Sequence, residues 1–305
     1  MNRFQHRWIS RVLLFVMALA MALSLVSCDA EGFFDEMFGP NEKGHGSDKG
    51  NSVSANAEFH FIDVGQADAI LIRVPEGDIL IDAGTNDSEE ALRAYLDELG
   101  VDTIEYAIFT HPHSDHIGGA DMIMKDYDVR NVILPDATAT SKVFTRMMDA
   151  IEASDAKVIE AIPDKTYSVG DLTLTVLGPQ GSGYTDVNNY SVVVRVDYGE
   201  TSALFTGDAE DVSEEELLDA YKRSGELDVD LLKVGHHGAK NSTTKEFLRE
   251  VSPEYAVISV GEGNTYGHPT GQALERLEDA DVTYWRTDLE GSVVIVSDGE
   301  DLHKQ

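Results

Sequence analysis

The sequence predicts an α/β domain built as a four-layer αββα sandwich, and two observations carry the prediction. Two β-rich blocks, near 59–82 and 171–206, punctuate the chain, and each is followed by an alternation of helical and extended periods. Blocks of this kind make two sheets that pack face to face and cover their outer faces with helices. In such an architecture the loops, and with them the chemistry, gather along one edge.

The elements follow in order. Arg3, Arg7 and Arg11 precede the apolar run Val12 to Val26, which holds no acid and is shorter than the roughly 20 residues of a bilayer span. This reads as a secretory signal peptide. It ends in Leu25-Val26-Ser27-Cys28, a pattern that resembles the bacterial lipobox. Residues 1–28 are therefore expected to be a lipoprotein signal, with Cys28 lipidated and the protein anchored to membrane lipid outside the cytoplasm. Cys28 is the single cysteine of the 305 residues, so no internal disulfide is expected. Residues 29–57, rich in Gly, Ser, Asn, Asp and Glu apart from Phe33-Phe34, read as a flexible tether, and 58–305 is left for one domain.

Within that domain, Phe59 to Val64 alternates and breaks at Gly65; Ala69 to Val74, the turn Pro75-Glu76-Gly77-Asp78 and Ile79 to Asp82 follow. These are three short strands. Ser88 is expected to open a helix carrying Leu92, Tyr95, Leu96 and Leu99 on one face, with Gly100 as its stop. A strand at 104–109, a helix near 118–127, a strand at 131–134 and a helix near 141–153 come next. Strands are expected again at 171–177, 191–198 and 201–206. Helices near 211–223, 243–250 and 270–279 then separate strands at 229–234, 254–260, 282–286 and 292–296.

The net charge is −33, and loss of the three signal-peptide arginines, with no acid lost, would make it −36. So acidic a surface opposes non-specific attachment to phosphate backbones, whose affinity comes mainly from Lys and Arg. It favours solubility and mutual repulsion. A small or locally bound substrate is therefore easier to accept than long duplex DNA, unless Lys233, Lys240 and Lys245 form a basic patch beside the cleft.

The chemistry is concentrated where the strand ending in Tyr106-Ala107-Ile108-Phe109 runs into "THPHSDHIGG". Residues i and i+2 of an extended segment point to one side, so His111 and His113 can reach one metal ion. Asp115 and His116 follow where the chain turns at Gly118-Gly119, aimed at a second ion nearby. Imidazole and carboxylate suit zinc best, with manganese or iron as alternatives. A bridging carboxylate is expected from Asp208, in Leu204-Phe205-Thr206-Gly207-Asp208-Ala209, although an aspartate there also suits a helix N-cap. His236 and His237 follow an apolar strand. Adjacent side chains diverge in extended chain, so one ligand is expected from the pair; His236 is favoured, with His237 lining the pocket, and the reverse order stays open. His268, in Gly267-His268-Pro269, is a candidate proton donor or substrate contact. His60 and His303 read as structural or incidental.

These stretches resemble a known family. "THPHSDHIGG" with "TGDAE" is similar to the metallo-β-lactamase fold superfamily, with its His-x-His-x-Asp-His hallmark. "FHFIDVGQADAILIRVPEGDILIDAG", "NNYSVVV", "DLLKVGHHGAKNST" and "YGHP" resemble the C-terminal hydrolase domain of ComEC DNA-uptake proteins, across about 58–296. The resemblance implies an αββα sandwich with two divalent ions: His111 and His113 at the first, Asp115, His116 and His236 at the second, Asp208 bridging. Many superfamily members supply a further histidine to the first ion from the loop that here reads Thr185 to Ser191 and contains none. Asn188, Asn189 or Asp186 then supplies an oxygen, or water fills the position, and manganese gains ground. Ala67 also stands where a glycine is more usual. Asp63, Asp68 and Asp82 are candidates to hold a ligand histidine in its tautomer, Asp82 first.

The function expected is a metal-dependent hydrolase acting on a phosphodiester, nuclease-like or on a small substrate. Asp115 would orient hydroxide, and His268 or His237 would protonate the leaving oxygen. Lactones and phosphorylcholine-type esters are alternative substrates. A lipoprotein that binds metal or ligand without turnover is the alternative from another class, and a β-lactamase is weaker still.

Overall fold

A computed structural model describes residues 56–305; the expected signal peptide, Cys28 and nearly all of the expected tether lie outside the described residues. The first strand opens at Ala57, next to the expected junction of tether and domain.

An eight-stranded sheet is built from β1 (Ala57–Phe61), β2 (Ile70–Val74), β3 (Gly77–Ile81), β4 (Thr103–Ile108), β5 (Asp128–Leu134), β6 (Lys157–Glu160), β14 (Val293–Ser297) and β15 (Leu302–Lys304), in the order β15-β14-β1-β2-β3-β4-β5-β6. A seven-stranded sheet takes β7 (Thr166–Val169), β8 (Leu172–Gly178), β9 (Val193–Tyr198), β10 (Thr201–Phe205), β11 (Leu231–Lys233), β12 (Tyr255–Ile258) and β13 (Thr283–Arg286), in the order β13-β12-β11-β10-β9-β8-β7. The strands absent from the sequence reading are β6, β7 and β15. Each lies at a sheet edge. An edge strand is incompletely covered, and the burial shows it: Lys157, Val158 and Glu160 of β6 are exposed.

Period-two alternation divides the apolar residues between layers. Ile70 and Ile72 face the other sheet, as do Ile79 and Ile81, Phe59 and Phe61, Val194 and Val196, and Phe205. The intervening Leu71 and Leu80 turn to the outer face, where helices Glu89–Glu98, Ala120–Asp126 and Lys142–Ala153 cover them. On the far side, Val193, Leu204 and Leu232 turn outward under helices Asp211–Tyr221, Lys245–Val251 and Gly271–Asp279. Three apolar layers between four structural layers are the αββα sandwich. Phe205 joins the two sheets at the centre, its ring 6.2 Å from that of Phe59 and 6.0 Å from that of Phe61.

The helix starts are chemically marked. Ser141, Thr244 and Thr270 each accept a backbone N–H from the first turn of the helix that follows. Ser88 does not play this part. It closes a 3₁₀ turn, Asn86–Ser88, in a reciprocal capping box with Thr85, and helix Glu89–Glu98 continues from that turn.

The strands that matter for function run parallel: β3 with β4 in one sheet, and β10, β11 and β12 in the other. Their C-terminal ends carry Asp82, Thr110 to His116, Thr206 to Asp208, Gly235 to Gly238 and Ser259 onward. Backbone bonds lace these ends together, with Val192 N–H on the Thr110 carbonyl at 3.0 Å and His236 N–H on the Gly207 carbonyl at 3.1 Å.

Candidate metal centre

Four groups converge at this edge: Asp115, His116, Asp208 and His237 each offer a ligand atom, all within 4.8 Å of one another. His116 Nε2 lies 3.1 Å from Asp208 Oδ2 and 3.9 Å from Asp115 Oδ2. His237 Nε2 lies 3.5 Å from Asp115 Oδ2 and 3.7 Å from Asp208 Oδ1. Yet His116 Nε2, His237 Nε2 and Asp208 Oδ1 are buried without an aligned hydrogen bond. Buried polar atoms are almost always paired. Three orphans aimed at one point fit a cation better than they fit one another.

The outer nitrogens explain the aim. His116 Nδ1 is 2.7 Å from Asp82 Oδ2. Asp82 itself is held by the Thr110 backbone N–H at 2.8 Å and the Thr110 hydroxyl at 2.7 Å. His237 Nδ1 donates to the Ser259 carbonyl at 2.8 Å. Fixing a proton on Nδ1 leaves Nε2 with its lone pair facing the cluster. Asp82 thus has the orienting geometry expected of it. Asp63 does not: its Oδ1 accepts the Gly65 N–H at 3.1 Å and its residue is exposed, which is turn capping.

His111 and His113 face each other, Nε2 to Nδ1, at 3.1 Å, with His111 buried and His113 exposed. Thr110 Oγ lies 3.1 Å from His111 Nδ1, and Ser191 Oγ lies 3.4 Å from it. Ser191 Oγ also accepts the Asp208 N–H at 3.0 Å, tying the two halves of the site together. His111 Nε2 is 3.9 Å from Asp208 Oδ2. The same Asp208 oxygen thus lies near both His111 and His116, as that of a bridging carboxylate would. It caps no helix, since the residue before helix Asp211–Tyr221 is Glu210.

The expectation about His236 and His237 rested on extended backbone, and the backbone is not extended. His236 (φ 46°, ψ 50°) and His237 (φ 53°, ψ 24°) are both left-handed, an arrangement that costs about 1–3 kcal/mol per non-glycine residue. The turn brings both rings to Asp208, with His236 Nε2 3.5 Å from Oδ2. It is His237, however, that joins Asp115 and His116 in the compact cluster. His236 is partly exposed and turns Nδ1 to Glu210 Oε1 at 3.0 Å.

Asn188 and Asn189 are both buried but differently engaged. Asn189 Oδ1 accepts the Ser213 N–H at 3.1 Å, in the first turn of helix Asp211–Tyr221. Asn188 donates to Glu210 Oε1 at 3.0 Å and keeps its amide oxygen unpartnered. Asp186 caps the short 3₁₀ turn that holds them. At the rim, the half-buried His268 ring lies 5.4 Å from that of His236, and its Nδ1 has no hydrogen-bond partner. Lys233 forms no surface patch with Lys240 and Lys245: it is fully buried, while the other two are exposed. His60 is structural, between Tyr95 and Glu58.

Electrostatics follow from crowding. Burial pushes His111 well below its ordinary pKa, and the charge of His116 adds to this. For His237 burial acts downward too, but the carboxylates of Asp208 and Asp68 outweigh it and raise the ring to about 10. The same contest, against Asp208, Asp82 and Asp115, lifts His116 well above the usual imidazole range. Asp208 is held well below the carboxylate range: burial would raise it, and His116 and His237 overcome that. The raised histidines report a dense knot of carboxylate charge, which a divalent cation on the Nε2 lone pairs would offset in place of protons.

The loop that presents Asp115 and His116 has almost no spare room. A Cβ on Gly118 would sit 2.3 Å from the Thr85 carbonyl carbon and 2.4 Å from the Asn86 nitrogen, both backbone atoms. The Ala83 N–H reaches the His116 carbonyl at 2.7 Å, and the Gly118 N–H the Gly84 carbonyl at 2.8 Å. Residues that sequence reasoning passed over include Thr110, Ser191, Glu210 and the Ser259 carbonyl. None carries a local signal, because each matters through a contact with a distant stretch.

Comparison with known proteins adds to this geometry. The metallo-beta-lactamase superfamily model matches residues 62–262. The ComE operon protein 3 of Bacillus subtilis is 29% identical over 259 residues, covering 79% of this chain and 33% of that protein. Competence protein ComA of Neisseria gonorrhoeae is 30% identical over 235 residues, covering 76% of this chain and 31% of its own length. The chain thus spans about a third of the length of these relatives. The metallo-beta-lactamase fold protein YhfI from Bacillus subtilis superposes with a TM-score of 0.53 at 14% identity, over 79% of this chain and all of that one, a likeness of fold.

Proposed function

This chain belongs to the metallo-β-lactamase superfamily, as a metal-dependent hydrolase of that fold, and on that premise we propose that its substrate is a phosphodiester and that it acts outside the cytoplasm. The observation that carries the chemistry is the set of buried, unpartnered ligand atoms on His116, His237 and Asp208. The phosphodiester assignment is supported by similarity to competence proteins over most of the domain.

In this reading His111 and His113 would hold one divalent ion, Asp115, His116 and His237 would hold the other, and Asp208 would serve both. Zinc or manganese suits the mixed imidazole and carboxylate donors. Two such ions, when bound, supply Lewis acidity towards phosphoryl oxygens and a water of lowered pKa. The chain does the rest. Asp115, partly exposed beside the buried ligands, orients the attacking water through its free carboxylate edge. Asp82 and the Ser259 carbonyl keep the ligand imidazoles from rotating. His268, at the rim against His236, contacts the leaving oxygen. His236 stands 3.5 Å from Asp208 Oδ2 and turns its other nitrogen to Glu210, at the margin of the site.

The test is turnover of bis(p-nitrophenyl) phosphate, single-stranded DNA, duplex DNA, a lactone and a phosphorylcholine ester by protein loaded with zinc or manganese. Hydrolysis of one or more phosphodiesters is expected, with kcat/KM lowered at least about 100-fold by His113→Ala or Asp208→Asn, a loss in the range of removing a principal electrostatic group. Hydrolysis confined to the lactone or the choline ester would overturn the phosphodiester assignment. Anchoring has its own test: fractionation of cells expressing the full chain should place it with membranes, and Cys28→Ala should release it.

A further inference from the structure

Behind the His116 and His237 rings lies a buried ion pair that the hydrolytic scheme leaves without a part. Lys233 is 0% exposed and Asp68 1%, and Lys233 Nζ is 2.6 Å from Asp68 Oδ2. Burying such a pair strips both ions of water, and apolar replacements of similar volume are often as stable or more so. Stability alone does not account for its presence at the end of a strand that is otherwise apolar.

Its neighbours do. Asp68 Oδ1 lies 3.4 Å from His237 Nδ1, and Asp68 Oδ2 lies 3.8 Å from His116 Nδ1. The Asp68 backbone N–H donates to the Asp115 carbonyl at 3.1 Å. Lys233 Nζ donates to the Gly207 carbonyl at 3.1 Å, one residue before Asp208. The pair therefore touches each of the three stretches that contribute to the four-group cluster. Asp68, Asp82 and His116 are themselves close enough together to hold a cation, and the lysine ammonium already lies against that group. Two carboxylates compete for His116 Nδ1, and the closer is Asp82, at 2.7 Å. The Lys233 charge engages the other.

We infer that Lys233 is a fixed internal cation which, through Asp68, positions His116, His237 and Asp208 for the ion they share with Asp115. Lys233 and Asp68 are positioning residues: neither contributes a ligand atom to the four-group cluster. By holding Asp68 on its own ammonium, Lys233 leaves Asp82 as the acceptor that orients His116. Through the Gly207 carbonyl it fixes the turn from which Asp208 projects. The inference rests on the metal-centre reading and adds a specific asymmetry: loss of the Asp68 carboxylate, which lies against His237 and His116, weakens the ion site of the four-group cluster and spares the other.

The experiment titrates EDTA-stripped full-length protein with Zn²⁺ or Mn²⁺ in competition with a chromophoric chelator. Parent, Asp68→Asn and the charge-free double variant Asp68→Leu/Lys233→Met are compared, each with a thermal melt of the stripped form. One binding step is expected to weaken about 10- to 100-fold in both variants, the range seen when a group supporting a metal ligand is removed. In Asp68→Asn, which keeps Lys233 on the Gly207 carbonyl, the other step stays at its parental value, and the stripped double variant melts no lower than the parent. Unchanged binding in Asp68→Asn overturns the inference, as does equal weakening of both steps with a lowered melt, the mark of a merely structural pair. Should the double variant not fold, the isosteric Asp68→Asn decides alone. A parent protein that takes up no ion overturns the metal-centre reading and this inference with it, whereas a parent that loads normally beside an unchanged Asp68→Asn overturns the inference only.

Discussion

At the scale of single residues, His236 and His237 are chemically identical neighbours that the backbone separates by task. Two consecutive left-handed conformations turn both rings towards Asp208, but His237 is buried and anchored on the Ser259 carbonyl, while His236 is partly exposed and leans on Glu210. A buried ring with one nitrogen fixed and the other unpartnered is prepared for an ion. A partly exposed one with a carboxylate beside it has more freedom. His237→Ala should therefore weaken metal uptake at one step by about 100-fold or more, while His236→Ala should weaken it by about 10-fold or less; equilibrium dialysis with metal analysis checks the ranking. A larger loss in His236→Ala would reverse the assignment. The sequence showed the two histidines at once. It did not show their order, because φ and ψ at 236 and 237 are imposed by contacts such as the His236 N–H on the Gly207 carbonyl.

At the scale of elements, the helix layer over β10 and β11 contains a buried acid with a measurable signature. Glu214, on helix Asp211–Tyr221, is 1% exposed and accepts the Thr243 and Thr244 backbone N–H groups at the start of helix Lys245–Val251, the latter at 2.8 Å. Burial pushes its carboxyl up to about 7, against the opposing pull of those donors and of Arg276. The sign follows by linkage. Between the unfolded value of 4.5 and the folded value of about 7 the native state holds the extra proton, so stability is greatest below the lower value. It declines as pH rises through that window and levels off above it. The decline amounts to as much as about 3 kcal/mol. Urea midpoints at pH 5 and pH 8 should differ accordingly in the parent, and Glu214→Gln should flatten the difference. A parent whose stability rises over that interval would sink the account. The edge strands β6, β7 and β15 teach a related lesson. With one side open they need no full apolar alternation, so periodicity finds the central strands and passes over the margins.

At the scale of the whole molecule, a net charge of −33 surrounds a site rich in carboxylates. A polyanionic substrate approaches against that field, and added salt screens it within a Debye length of about 8–10 Å. For long single-stranded DNA, kcat/KM should therefore rise severalfold when salt is raised from low ionic strength. For singly charged bis(p-nitrophenyl) phosphate it should change little. Paired rate measurements across a salt series test this, and a fall with salt for DNA would point instead to a local basic approach to the cleft. The buried position of Lys233 removes one member of the patch that the sequence suggested for that purpose.

The sequence by itself determined the layer order, the central strands and the residue types of the metal centre. Period-two and helical patterns are local consequences of which face is buried, and "THPHSDHIGG" places four donors within six consecutive residues. It also pointed to Asp208, because an aspartate after Gly207 at the end of an apolar strand stands out locally. Only the tertiary structure decided that His237 completes the four-group cluster, that Asp82 holds His116 while Asp63 merely closes a turn, and that Lys233 is an interior cation. Those facts depend on distances between residues far apart in the chain. Side chains tens to more than a hundred positions apart meet only after two sheets stack and their parallel strand ends share an edge.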